Sequence, residues 1–178
     1  MEESTTREKI FKNIRNALIE KTDAPFPDAD TDAKVFKGGE ETVDLTFAQE
    51  FTRIGGKFAY CEDEDDMAEK LKYIIQENKM DNVFCFEESL KPILEQHEIN
   101  FEDHAGKLLE SSIGITTCEF LAARTGSVVI SSRQLSGRRL NIFPEVHIVV
   151  ASTNQLVKDV KDALNELKEI YDKGLPSA

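Results

Sequence analysis

Residues 111–153 carry most of the side chains in this chain that could do chemistry. The segment holds four arginines and only two acidic residues, Glu119 and Glu145, so its formal charge is +4 − 2 = +2. The whole chain carries −12, which leaves −14 for the remaining residues. A positive, hydroxyl-rich segment in an acidic chain predicts a binding site for a small carboxylate or a phosphorylated ligand.

Thr125, Gly126 and Ser127 are the first candidate ligand-binding residues. Glycine lets the backbone approach a ligand, and the flanking hydroxyl and N–H groups can hold a carboxylate or a phosphate. The same tripeptide is also typical of a tight turn entering a strand, with its hydroxyls bonded locally. It is not a P-loop, because no Gly-Lys-Ser/Thr sequence follows.

Arg138 and Arg139 would supply positive charge from a loop that we expect to reach this turn. The planar donor fork of arginine suits carboxylate and phosphate groups. The alternative is that both arginines form surface ion pairs with acidic residues elsewhere, which contribute little to stability.

Glu119 and His147 are the two candidate catalytic residues. Glu119 could act as a carboxylate nucleophile or a base, or it could simply begin a helix. His147 could act as a general acid or base, or it could be a buried histidine satisfied by the backbone. No metal or iron–sulfur site is expected within the chain, because its cysteines and histidines show no ligand spacing: Cys61, Cys85, Cys118, His97, His104 and His147.

Strand and helix patterns alternate in the part of the chain that must position these residues. Short apolar runs predict strands at 57–61, 82–86, 99–101, 127–131 and 146–152, and residues 112–116 fit a strand or a loop. Helical spacing predicts helices at 62–79, 87–96, 118–124 and 154–173. Residues 133–144 are too few for a crossover helix with its loops, so we expect a hairpin or an irregular active-site loop. The alternation predicts an α/β fold with a mostly parallel sheet between helices.

The N-terminal part of the chain has a different organisation. Residues 5–20 predict an amphipathic helix, residues 21–44 form a linker arm rich in Pro, Gly and Asp, and residues 45–54 predict a second helix. We therefore divide the chain into an N-terminal helix and arm, residues 1–44, and an α/β domain, residues 45–178.

The composition of the chain excludes several classes of protein. No apolar run approaches the ~20 residues that a membrane span needs, and the N-terminus lacks the apolar core of a signal peptide. Unclustered cysteines fit a reducing compartment, so we expect a cytoplasmic protein. A charge of −12 argues against a general nucleic-acid binder and against an anionic membrane surface as partner.

Three blocks of the sequence resemble the LUD-domain family, also called lactate-utilisation protein C: GITTCEFLAARTGSVVISS, then GRR, then FPEVHIVV. The positions that match the family pattern are Gly114, Ile115, Thr116, Glu119, Ala123, Thr125, Gly126, Ser127, Pro144, His147 and Ile148. Arg124 departs from the pattern, since the family usually has a glutamate there. Any chemistry that depends on this carboxylate is in doubt, and a positive charge would favour an anion, so Arg124 joins the ligand-binding candidates.

The resemblance implies a fold like that of the ribose-isomerase and CoA-transferase superfamily. It also implies a role in oxidising L-lactate to pyruvate with separate iron–sulfur oxidoreductase subunits, which would hold the clusters, so that this chain itself needs no cofactor. Two alternatives stay open: a non-enzymatic module that docks on a partner through residues 5–20, and a CoA-ester or sugar-phosphate enzyme with Glu119 as nucleophile. The sequence decides neither whether the chain is an enzyme nor whether it forms a homo-oligomer.

Overall fold

The computed structural model describes residues 5–19, 41–78 and 81–171, together with Gly174 and Pro176, and gives only the backbone for Ala105, Lys107, Glu110 and Arg138. The chain falls into two compact units, Met1–Gly39 and Glu40–Ala178. In the first unit the structure describes helix α1, Thr6–Ile19, which agrees with the helix predicted over 5–20. Most of the predicted arm, residues 21–40, lies outside the described residues.

The second unit mixes helices and strands in the order that an α/β fold requires. Its elements are α2 Val43–Arg53, α3 Glu64–Glu77, β1 Val83–Cys85, α4 Lys91–Gln96, β2 Ile113–Thr117, β3 Phe120–Ala122, β4 Ser127–Val129, α5 Gly137–Leu140, β5 Val146–Val150, β6 Leu156–Val157 and α6 Val160–Ile170. Short 3-10 helices lie at Ala105–Glu110, Ala123–Thr125 and Thr153–Gln155. None of the described helices is long and apolar enough to cross a membrane.

The first sheet consists of three parallel strands in the order β1-β2-β5. One face packs on α3 and α4, where Ile113 and Ile115 join a buried cluster that includes Leu94. On the other face Phe84 packs with Leu140 of α5. Because apolar side chains cover both faces, the strands are continuous apolar runs. The predicted α/β fold with a parallel sheet between helices is confirmed.

A second, smaller sheet has the order β4-β3-β6, with β3 antiparallel to β4 and parallel to β6. Helix α2 packs on it through Phe47, which joins Leu121 and Ala123 in one cluster. Helix α6 packs on it through Ala163 and Leu167.

The short helix predicted over 118–124 is wrong, because residues 120–122 form the central strand of this second sheet. The final helix begins at Val160, not at residue 154, because Leu156 and Val157 pair with β3. In both places long-range strand pairing overrides the local helical pattern.

Three further predictions from local pattern need correction. Residues 57–61 are not a buried strand: they have no regular structure, and Phe58 and Tyr60 are 41% and 59% exposed. No described strand pairs with them. Residues 99–101 form no strand either, and the chain there makes a single parallel bridge between Phe84 and Glu102. Of the two alternatives for residues 133–144, the hairpin is wrong, because β4 and β5 belong to different sheets, and the segment is irregular apart from the four-residue α5.

Candidate functional site

Glu119 lies just beyond the carboxyl end of β2 and is held in a defined orientation. Its carboxylate oxygen Oε1 accepts hydrogen bonds from the Ser131 hydroxyl at 2.5 Å and from the Tyr171 hydroxyl at 2.9 Å. Ser131 is only 3% exposed, whereas Glu119 is half-buried. In the described part of the chain no hydrogen bond ends on Oε2. One oxygen is therefore fixed, and the other is available to a ligand.

Arg133 brings a positive charge to the same place. Its guanidinium carbon lies 5.8 Å from the centre of the Tyr171 ring, and its backbone N–H donates to the Ser131 hydroxyl at 3.1 Å. The side chain is exposed and makes no ion pair with any described residue. Burial raises the pKa of Tyr171, and the hydrogen bond and charge of Glu119 raise it further. We call Glu119, Ser131, Arg133 and Tyr171 the Glu119 cluster.

The loop of residues 131–136 lies across the carboxyl ends of β1 and β2. Gln134 accepts from the Ser131 N–H at 3.0 Å and donates to the Thr117 hydroxyl at 3.3 Å. Further along, the Ser136 N–H donates to the buried carboxylate of Glu87 at 3.2 Å. Ligands of open α/β sheets bind in the crevice beyond the carboxyl ends of the strands. The position of the Glu119 cluster therefore makes it the candidate site.

The thiol beside this cluster is not available for chemistry. Burial raises the pKa of Cys118 to about 12, with a smaller contribution from the charge of Glu119, and burial raises the pKa of Cys85 to about 11. Both thiols therefore stay protonated near neutral pH, which makes them poor nucleophiles and poor metal ligands. Within the described residues no group of three or more His, Cys, Asp or Glu side chains could hold a metal ion.

The Thr125–Ser127 turn packs against α2. Gly126 has φ +61°, and a Cβ added there would lie 2.6 Å from the Phe51 nitrogen and 2.8 Å from the Phe51 Cα. The Ser127 hydroxyl donates to the Thr125 hydroxyl at 2.8 Å. The close approach of the α2 backbone thus explains the glycine, and this geometry favours the tight-turn interpretation. Ligand binding at these three residues stays a prediction.

Arg124 forms a two-pronged ion pair with Asp159. Its Nε and Nη2 atoms donate to the two carboxylate oxygens at 2.7 Å and 3.0 Å. This contact lowers the pKa of Asp159 and raises that of Arg124. Asp159 also caps the amino end of α6. Arg124 therefore ties the 3-10 helix Ala123–Thr125 to α6.

The hydrogen bond of His147 goes to Thr116 and not to Glu119. Its Nε2 lies 2.8 Å from the hydroxyl of Thr116, which is fully buried, and burial lowers the pKa of the imidazole. His147 aligns with Gly114 in the sheet, whereas Glu119 follows the end of β2. A catalytic role for His147 stays a prediction. The alternative for His147 was a buried histidine satisfied by the backbone; its partner is instead the Thr116 hydroxyl.

Ligand binding by Arg138 and Arg139 stays a prediction. Arg139 is exposed on α5, and no described hydrogen bond or ion pair joins it to Thr125 or Ser127. The side chain of Arg138 lies outside the described residues.

Sequence reasoning missed three members of the Glu119 cluster: Ser131, Arg133 and Tyr171. The signal for Ser131 and Arg133 was the Ser-Ser-Arg sequence, residues 131–133, at the end of the predicted strand 127–131. Polar residues at the end of a buried strand lie at the edge of the sheet. Tyr171 gave no such signal, because it fits the apolar stripe of the final helix.

Comparison with known proteins agrees with the resemblance noted in the sequence. A family model described as LUD domain matches residues 46–177, which is most of the chain. No curated protein matches. Among solved structures, the chain is similar to the crystal structure of a DUF162 family protein from Deinococcus radiodurans, with 16% sequence identity and a TM-score of 0.63. That match covers 75% of this chain and 83% of the other, and at this identity it shows the fold alone. The chain belongs to the LUD domain family, which is associated with lactate utilisation.

Proposed function

We propose that this LUD-domain protein is a cytoplasmic subunit of a system that oxidises L-lactate to pyruvate, and that it binds the small carboxylate at the Glu119 cluster. Separate iron–sulfur oxidoreductase subunits work with it and receive the electrons. The observation that carries the proposal is an exposed arginine, Arg133, placed beside an oriented carboxylate at the carboxyl end of a parallel sheet.

The cluster offers each ligand group a partner. The guanidinium of Arg133 suits the carboxylate of lactate or pyruvate, because its donors can bind both oxygens. Oε2 of Glu119 is placed to accept the proton of the 2-hydroxyl group, as a general base does. Ser131 and Tyr171 keep that carboxylate from rotating away. In this proposal the chain binds and orients the substrate and accepts the hydroxyl proton, while the hydrogen on the 2-carbon leaves with both electrons of its C–H bond to the oxidoreductase subunits.

Titration calorimetry with L-lactate and with pyruvate tests the proposal. We expect Arg133→Gln to weaken binding at least about tenfold, as loss of a charged hydrogen-bonding partner does. Arg139→Gln is the matched control. It removes an exposed arginine that lies six residues from Arg133 and is not part of the Glu119 cluster, so it should leave binding unchanged. The proposal is wrong if neither acid binds, alone or with the partner subunits, or if both variants bind as wild type does.

A second candidate function is CoA-ester chemistry with Glu119 as nucleophile. The two hydroxyl donors on Oε1 favour it, because they leave Oε2 as the attacking atom. Attack on the thioester carbonyl would form an acyl–glutamate anhydride and release CoA as a thiolate, which then takes a proton. Mass spectrometry after incubation with an acyl-CoA would show this adduct in wild type and not in Glu119→Gln. If Glu119→Gln retains acyl transfer, this candidate is removed.

A further inference from the structure

A surface that combines exposed apolar side chains with positive charge lies around α5. Leu135, Ile142 and Phe143 are 62%, 76% and 50% exposed, and Arg139 is exposed between them. The Ile142 and Phe143 N–H groups both donate to the Arg139 carbonyl, at 3.1 Å and 3.0 Å, which keeps these residues together in one turn. Residues 133–143 contain three arginines and no acidic residue, so their charge is +3. We call Leu135, Arg139, Ile142 and Phe143 the basic ridge.

A surface of opposite charge lies before and at the start of α3. Phe58 and Tyr60 are largely exposed, although an apolar run of this kind predicted a buried strand. The exposed Glu62, Asp63, Glu64 and Asp65 follow directly. Residues 57–66 hold one lysine and five acidic residues, a charge of +1 − 5 = −4. We call residues 57–66 the acidic segment.

The helices beside the two surfaces cover opposite faces of the parallel sheet. Helix α5 covers the face of Gly114, where an added Cβ would meet the Leu140 carbonyl and the Pro144 ring. Helix α3 covers the face of Ile113 and Ile115, since neighbouring residues of a strand point to opposite faces. Among the described residues no hydrogen bond or ion pair joins the basic ridge to the acidic segment within one copy.

We propose that the basic ridge of one copy docks on the acidic segment of a second copy of this chain. Each surface combines exposed apolar side chains with charges opposite to those of the other, which is the pattern of a protein–protein interface. Docking would cover the exposed parts of Tyr60, Ile142 and Phe143, and the part of Phe58 that its edge-to-face contact with Phe47 leaves exposed. Each copy carries both surfaces, so the contact is head-to-tail and repeats from copy to copy until the assembly closes.

Sedimentation velocity on the full chain, from about 1 to 100 μM, tests this interface over the usual range of such affinities. We expect wild type to sediment as a dimer or a larger closed assembly. Arg139→Glu and Ile142→Asp should each raise the dissociation constant at least about tenfold, because a rim charge and a central apolar contact are lost. Leu164→Asp is the control: this residue is 40% exposed on α6 and belongs to neither surface, so its substitution should leave association unchanged.

Paired charge reversal tests which surfaces meet. Glu64→Arg alone should weaken association, and Glu64→Arg combined with Arg139→Glu should restore it, because the charges are then exchanged. Circular dichroism of each variant checks that the fold is kept. The proposal is wrong if wild type is a monomer at every concentration. It is also wrong if Glu64→Arg associates normally, or if the double variant associates as weakly as Arg139→Glu. Lactate binding at the Glu119 cluster is measured independently of this result.

Discussion

Burial of His147 beside Thr116 couples the stability of the fold to pH. The pKa of the folded imidazole lies below its usual value of 6.5, because burial disfavours the charged form. The unfolded chain therefore binds more protons as the pH falls through about 6.5. We predict that the free energy of unfolding is highest above this pH and decreases below it. Urea denaturation from about pH 8 to pH 5 measures the change.

The variant His147→Gln supplies the control for this prediction. Glutamine can still hydrogen-bond the Thr116 hydroxyl but does not titrate, so its stability should depend less on pH over the same range. If wild type and His147→Gln lose stability in parallel as the pH falls, another group is responsible, and the account of His147 is wrong.

Gly126 is fixed by its neighbours in α2. In Gly126→Ala the new Cβ would clash with the backbone at Phe51, and φ is positive. We predict a loss of about 1–3 kcal/mol from the clash, in addition to about 1–2 kcal/mol of backbone strain. Gly55→Ala is the matched control, since Gly55 has φ +94° but nothing within 4 Å of an added Cβ. If both variants lose the same free energy of unfolding in urea denaturation, the close contact with α2 does not add to the cost at Gly126.

At the scale of elements, the loop 131–136 is held to the sheet by few contacts. Gln134 joins the Ser131 N–H to the Thr117 hydroxyl, and Gln134→Ala removes both bonds. We predict faster amide hydrogen exchange in residues 131–136, with little change in β2, because the loop can open without unfolding the strand. Exchange followed by mass spectrometry measures this. Unchanged loop exchange, or loss of protection throughout β2, would contradict the prediction.

Elements with strong local signals were predicted well. Helix α3 has an apolar stripe and an acidic first turn, and Asp63 caps it. Strand β1 is a continuous buried run. The failures lie where pairing with distant residues decides the structure. Leu121 and Ala122 pair with β4 on one side and with β6 on the other, and no local pattern reports such partners.

At the scale of the whole molecule, the same reasoning explains which site residues the sequence could give. Glu119 was a candidate because it is a rare acid in a positive segment. Its contact with Tyr171 joins residues 52 positions apart, and the orientation of Arg133 depends on the fold of the loop. The pairing of Arg124 with Asp159 spans 35 positions. Residue type and spacing give candidates, but only the fold shows which of them meet.

From this geometry and the family, we propose the Glu119 cluster as the site in place of the initial candidates. The initial candidates Thr125, Gly126, Ser127 and Arg124 make close contacts with α2 and Asp159. The Glu119 cluster instead presents an exposed cation and a carboxylate oxygen that accepts no hydrogen bond from any described residue, at the sheet edge where α/β proteins bind ligands. The central claim is therefore that a small carboxylate binds at Arg133 and Glu119.

A crystal structure of the protein soaked with L-lactate or pyruvate tests this claim most directly. We predict electron density for the ligand beside the Glu119 cluster, with its carboxylate within hydrogen-bonding distance of the Arg133 guanidinium. In crystals of Arg133→Gln the same density should be absent. Ligand bound at Thr125–Ser127, or bound equally well in Arg133→Gln, would contradict the account.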